Sequence, residues 1–302
     1  MLVCGKSVVA CGCICWLDAP IFLAQLGKCC GAFIDKLCRR QIKVFAFAYT
    51  ITMYEVTISI PNAQTYLLEH ISKDVSPYFC KVGGAFVTLK QRERSYFSVA
   101  CKDTFKPQAE RLIAQTVAQV LSLGYKNIYV RNLLDIQPNN FYQSVLVDTM
   151  CAFDYQFDAT KIASLIDCDK DVFVDGYYNF RLSSFKSKWQ SVASMILQHD
   201  YILLDNDLIV EFLQYLVQSV ETKVQSLCIV FDKDGYTLYD ANSKVLQERP
   251  TLSIDASPEI EAIVNAVCIN PQHLKVYYLT KPSQDFCNLA TALFDVQFVP
   301  VQ

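Results

Sequence analysis

Between Tyr54 and Pro61 the apolar side chains Val56, Ile58 and Ile60 fall on every second position, and from Tyr66 through Leu67 and Ile71 to Val75 they fall at helical spacing. That change of period most constrains the fold, because it demands a strand followed at once by a helix. The strand should end at Pro61, which cannot extend a ladder, and the helix should be capped by Asn62 and broken by Pro77. Residues 82–89 and 95–101 are rich in strand formers and flank the charged turn Lys90-Gln91-Arg92-Glu93-Arg94, which predicts a hairpin. Gly83-Gly84 lacks the further glycine and Lys-Ser/Thr of a phosphate cradle and reads as a strand irregularity. Pro107 opens a helix with the stripe Leu112, Ile113, Val117, Val120 and Leu121, closed by Gly124.

The rest of the chain is less regular at first. Residues 139–151 and 161–166 suggest helices, and 172–180 an extended stretch with an Asp175-Gly176 turn inside it. Ser183 or Ser184 caps a helix reaching Leu203, and Asp205 restarts another through Val220; two helices so close in sequence should pack antiparallel. A hairpin is expected about Asp232-Lys233-Asp234-Gly235, a helix from Ser257-Pro258 to Asn270-Pro271, a strand at 274–279, a helix capped by Ser283 through Leu293 and a closing strand at 296–301. The fold class is α+β: an N-terminal strand-helix-strand-strand-helix unit, a helix pair, and a C-terminal mixed α/β unit with a β-hairpin. The expected divisions are 1–52, 53–135 and 136–302.

Residues 1–52 match nothing downstream. They hold seven of the 14 cysteines and are net positive, with Lys6, Lys28, Lys36, Arg39, Arg40 and Lys43 against Asp18 and Asp35. Asp18 and Pro20 interrupt the apolar stretch that a membrane span would need. A secretory signal lacks a clean cleavage site here, and a zinc cluster from Cys11, Cys13, Cys15, Cys29 and Cys30 has no histidine nearby. The expectation is upstream translation or an unpacked leader, since the first well-formed element begins at Met53. The remaining cysteines sit singly in apolar runs and read as buried thiols of a reducing compartment, which points to the cytoplasm.

Function classes narrow by charge and motif. The chain has 27 Lys plus Arg against 30 Asp plus Glu, so it offers no bulk basic field to a polyanion. The basic hairpin Lys90, Arg92 and Arg94, with Tyr96 and Phe97, is the nearest thing to a nucleic-acid patch, and a solvated turn explains it as well. Asp167-Cys168-Asp169-Lys170-Asp171 places carboxylates at alternate positions but has no sharp-turn glycine or closing glutamate, so it reads as an acidic loop and not a cation site. Three histidines and nine glycines supply no nucleophile motif, no metal site and no cofactor cradle. Arg181, in the apolar setting Tyr177-Tyr178-Asn179-Phe180-Arg181-Leu182, needs a partner there. It is either a structural anchor or, with Asp175 and Tyr178, an anion contact.

The run from Val174 through Asp175-Gly176 to Phe180-Arg181-Leu182, the helix with Glu211 to Val217, and Ile229-Val230-Phe231 through Gly235 to Leu238-Tyr239-Asp240 resemble the YtxC family of sporulation proteins of endospore-forming Firmicutes. The stretch from Ile260-Glu261-Ala262-Ile263-Val264 to Leu274-Lys275-Val276-Tyr277 is similar to that family's ending. The resemblance covers about 170–302 well and reaches more weakly back to Met53. It departs at Gln214, where family members tend to carry a basic residue. It implies a role in sporulation through an unknown protein partner and carries over no catalytic residue.

Overall fold

The period-two run at the start does form a strand, β1 (Met53–Pro61), with Tyr54, Val56, Ile58 and Ile60 facing inward and buried. The computed structural model describes residues 52–301, apart from 137–139, 199, 220–221, 223, 234, 247–250 and 254–255. The expected leader thus lies, but for Thr52, outside the described residues.

Helix α1 (Thr65–Lys81) follows, then β2 (Ala85–Lys90), β3 (Arg94–Lys102) and α2 (Lys106–Gln119). After a π-turn at Val120–Tyr125 come α3 (Lys126–Leu134), α4 (Phe141–Phe153) and α5 (Tyr155–Ala163). Strand β4 (Val172–Phe173), α6 (Val174–Phe180), α7 (Ser183–Leu197) and α8 (Asn206–Ser219) lead to β5 (Val224–Phe231) and β6 (Tyr236–Asp240). The chain closes with α9 (Pro258–Ile269), β7 (Pro271–Tyr278), α10 (Gln284–Leu293) and β8 (Asp295–Pro300). The class is α+β, with two mixed four-stranded sheets ordered β2-β3-β1-β4 and β6-β5-β7-β8.

Each sheet anchors its own core. The first gathers Ile58, Phe97, Leu67, Phe79, Val117 and Trp189. The second gathers Ile229, Val276, Leu213, Ile263, Phe286 and Leu146. Two helices serve both cores. Trp189 at the middle of α7 belongs to the first core and Ala193 and Ile196 to the second; Val130 and Leu134 of α3 lie in the second, while its Ile128 packs against the first.

Several punctuation residues act differently from the sequence reading. Pro77 does not break α1, which continues to Lys81. The proline is exposed, and the buried stripe continues past it to Phe79, so packing offsets the lost backbone bond. Asn62 does not cap that helix. It lies in a 3-10 turn, and its amide donates to the carbonyls of Gln91 at 2.7 Å and Arg92 at 3.0 Å, pinning the hairpin tip.

Gly83-Gly84 is a helix stop and not a strand irregularity. Gly83 has φ +68°, its N–H bonds the Cys80 carbonyl and that of Gly84 bonds the Phe79 carbonyl, a Schellman closure. Gly124 closes nothing, since the chain passes through the π-turn into α3. A Cβ there would come within 2.5 Å of Leu67 Cδ2, so the glycine admits a neighbouring helix.

The expected extended stretch at 172–180 is a two-residue strand and then α6, with Asp175 in the first helical turn. Helix α7 ends at Leu197, and a separate 3-10 turn covers Asp200–Leu204. The short helix expected at 161–166 lies earlier, as α5. Helices α7 and α8 pack chiefly on α3 and on α4 and α10, and not as an antiparallel pair. Of the caps expected from sequence, those at Ser257 and Ser283 form, whereas Ser183 or Ser184 does not cap α7: Ser183 is already its first residue, Leu182 stands at the N-cap, and no side chain caps its first turn. Asn140, Ser257 and Ser283 accept from the N–H of Gln143, Ile260 and Phe286, and Asp232 Oδ1 accepts from Gly235 N–H at 2.8 Å in the β5–β6 turn.

Candidate functional site

The densest polar cluster sits where α3, α4, α5 and α7 meet between the two cores. Helix α3 opens on Lys126 and Asn127, directly after the π-turn, a distortion that frequently accompanies functional positions. The Lys126 ammonium is buried; it donates to Asp154 and lies 3.4 Å from the Cys151 carbonyl. Lys188 from α7 reaches the other Asp154 oxygen at 2.5 Å and Asp158 Oδ1 at 2.9 Å. Asp158 is fully buried, and its second oxygen accepts from Trp189 Nε1 at 2.9 Å. Asn127 donates to Asp148, and Arg131 Nη2 lies 3.7 Å from the same carboxylate oxygen.

Electrostatically the cluster closes on itself. Three cations, Lys126, Arg131 and Lys188, face three carboxylates, Asp148, Asp154 and Asp158. Burial pushes the Asp154 carboxyl up, but the two ammonium groups outweigh it and hold the group below the usual carboxylate range. Cys151, beside them, is pushed up to about 12 by burial, so its thiol stays protonated and is no nucleophile. The cavity between Asn127, Asp148, Cys151 and Leu252 measures about 10 Å³, room for at most one water. Chemically the arrangement can lock four helices together; it leaves no space for a substrate.

The residues singled out from sequence are placed apart. Asp175 forms a two-pronged pair with Arg94, at 2.6 and 3.0 Å, and Arg94 also donates to Ser59 Oγ at 3.0 Å. Those hydrogen bonds from Arg94 hold the Asp175 carboxyl below its ordinary range. Tyr178 is half-buried against Tyr125, ring centroids 4.8 Å apart, with Lys186 Nζ 3.9 Å from the centre of its ring. Arg181 is exposed at the end of α6; its backbone N–H donates to the Tyr177 carbonyl at 2.9 Å, and its guanidinium makes no hydrogen bond or ion pair among the described residues. Lys90 and Arg92 stand exposed at the hairpin tip, while Arg94 is engaged with Asp175.

The acidic loop spreads its carboxylates over separate partners. Asp169 pairs with Lys106 at 2.6 Å, Asp171 Oδ1 accepts from Thr57 N–H of β1 at 3.3 Å, and Asp167 Oδ1 accepts from Asp169 N–H. No group of three or more His, Cys, Asp or Glu is placed to hold a metal among the described residues. An open cleft of about 360 Å³ lies between this loop and α2, lined by Glu110, Arg111, Asp167 and Asp169. Its thiol, Cys168, is pushed up to about 12 by burial and then by Glu110. The cysteines from Cys80 to Cys287 are free thiols, but not all are buried as expected: Cys80 is exposed, and Cys228 and Cys287 are half-buried. Cys228 lies opposite Lys275 on the outer face of its sheet.

Sequence reasoning missed the buried cluster. One signal was present, because Asp148 is the sole charge in the apolar run of α4, where an acid must be paired. Among the described residues no helix is long and apolar enough to cross a membrane. A family model, that of the YtxC-like family, matches residues 108–287. No curated protein and no solved structure matches the chain.

Proposed function

This chain belongs to the YtxC-like family, and on that footing we propose that it serves sporulation in the cytoplasm, through contacts with other proteins and without catalysing a reaction. The observation that carries the reading is the family match over α2 to α10, together with the resemblance of the 174–277 region to sporulation proteins. The internal neutralisation of Lys126, Arg131 and Lys188 by Asp148, Asp154 and Asp158 supports the non-enzymatic part, since ionisable groups that satisfy one another are not free to move a proton or hold a substrate. Free thiols support a reducing compartment. In an endospore-forming host that carries the gene, deletion should lower the yield of heat-resistant spores severalfold while vegetative growth keeps its rate. A normal spore yield would sink the proposal.

A second reading is favoured by the free guanidinium of Arg181. It makes that side chain an anion contact, with Tyr178 and Asp175 shaping its surroundings from their own partners. Titration calorimetry with inorganic phosphate tests it: saturable heat in the wild type that disappears in Arg181→Gln supports the reading, and absence of saturable binding removes it.

A further inference from the structure

Of the four sheet edges among the described residues, three carry a recognisable protection. Strand β4 is two residues long, β6 is doubled back on by a turn that pairs Tyr239 with Val245, and β8 begins on Asp295 and ends on Pro300. Shortness, back-pairing, charge and proline are all devices that stop an edge from accepting another strand. The remaining edge, β2, has six residues with no proline and no acid. Its outer face shows Val87 and Leu89, 41% and 43% exposed.

The hairpin fixes which backbone groups of β2 are free. Gln91 N–H donates to the Arg94 carbonyl at 2.9 Å, so those two residues are a hydrogen-bonded pair. Alternation along the antiparallel ladder then makes Leu89 with Tyr96, Val87 with Ser98 and Ala85 with Ala100 the other bonded pairs. The N–H and C=O of Phe86, Thr88 and Lys90 point away from β3.

We propose that this edge pairs antiparallel with the β2 edge of a second copy, about a two-fold axis through Thr88, and so joins two four-stranded sheets into one continuous sheet. A second copy is singled out because β2 is complementary to itself in that register. Thr88 faces the partner's Thr88, a favourable cross-strand pair, and Val87 faces the partner's Leu89 on the solvent side. Phe86 faces the partner's Lys90, so the one charge of the strand meets an aromatic ring and stands well away from its own mate. Every outward amide and carbonyl of Phe86, Thr88 and Lys90 finds a bond, and no like charges are opposed along the strand. One six-residue edge is smaller than a standard interface, so the dimer is reversible, with Kd on the order of 100 µM.

Sedimentation velocity of the full chain over a concentration range spanning that value reads the outcome. Thr88→Pro removes an N–H that makes no bond inside the sheet, a position where an edge strand tolerates proline. Val87→Lys brings like charges together across the axis and keeps the test alive should the proline variant fail to fold. The wild-type mass should double with concentration, and each variant with unchanged circular dichroism should bind at least about tenfold more weakly. A constant monomer mass, or a dimer equally tight in the folded variants, overturns the proposal. So does concentration-independent protection of the Phe86, Thr88 and Lys90 amides from hydrogen exchange, which would assign the edge to another segment of the same chain.

Discussion

The Asp158→Ala variant is expected to lose about 3 kcal/mol of stability at neutral pH, read as a lower urea midpoint at unchanged slope. Asp158 is fully buried and carries two bonds at once, to Lys188 and to the indole of Trp189. Its removal leaves the Trp189 N–H without an acceptor inside the first core, which is where most of the cost arises. The Lys188 side chain is 40% exposed and keeps Asp154, so its share is small. Asp158→Asn retains an oxygen for the indole and should cost about half as much. A loss below about 1 kcal/mol for the alanine variant would contradict the view that this cluster exists to hold helices together.

That cluster and the separate Arg94–Asp175 pair together set an acid limit. The Asp154 carboxyl is pushed up by burial but carried below its ordinary value by Lys126 and Lys188, and Asp175 is lowered by its hydrogen bonds from Arg94. Both native values are depressed relative to the unfolded chain. Each carboxylate therefore adds stability that is complete above the unfolded value of about 3.9 and is lost as pH falls through the lower native one. Unfolding of the wild type should steepen below about pH 4, and Asp154→Asn should flatten that slope.

The elements that sequence places correctly are those whose ends are decided locally. Ser257 and Ser283 cap their own helices, Asn270 takes φ 52° ahead of Pro271, and Asp232 turns its own hairpin. Each signal lies within a few residues of the structure it causes. Pro77, Gly83-Gly84 and Gly124 mislead because their roles depend on contacts that sequence spacing does not reveal: the buried Phe79 beyond the proline, the β3 backbone beside Gly84, and Leu67 against Gly124. The site divides in the same way. A lone acid such as Asp148 in an apolar helix announces that it has a partner, but not which one. Lys126 and Asp154, or Asp175 and Arg94, are joined by the packing of distant elements, so Arg181 drew attention through its neighbours in sequence while Arg94 took the carboxylate. Gln214 belongs to this class too, since its amide donates to the Ala292 carbonyl at 2.9 Å and pins α8 to the end of α10.

Gly84→Ala should destabilise the chain by about 2–3 kcal/mol, the second large effect, because the added methyl has nowhere to go. An ideal Cβ there would stand 2.5 Å from the Ala100 carbonyl oxygen and 3.1 Å from Phe79 Cδ1. The first of these is backbone of β3, an inner strand held on both sides by β1 and β2, and it cannot retreat without breaking one of the two ladders. Phe79 is fully buried and cannot swing aside either. Gly83→Ala separates the steric cause from the conformational one. Nothing lies within 4 Å of its added carbon, and only the left-handed φ of +68° opposes the change, at about 1 kcal/mol. Gly235→Ala, with open space and no left-handed φ, should be close to neutral. Thermal or urea unfolding of the three variants orders them, and a Gly84→Ala chain as stable as Gly235→Ala would mean that the helix α1 terminus does not press on β3 as the structure has it.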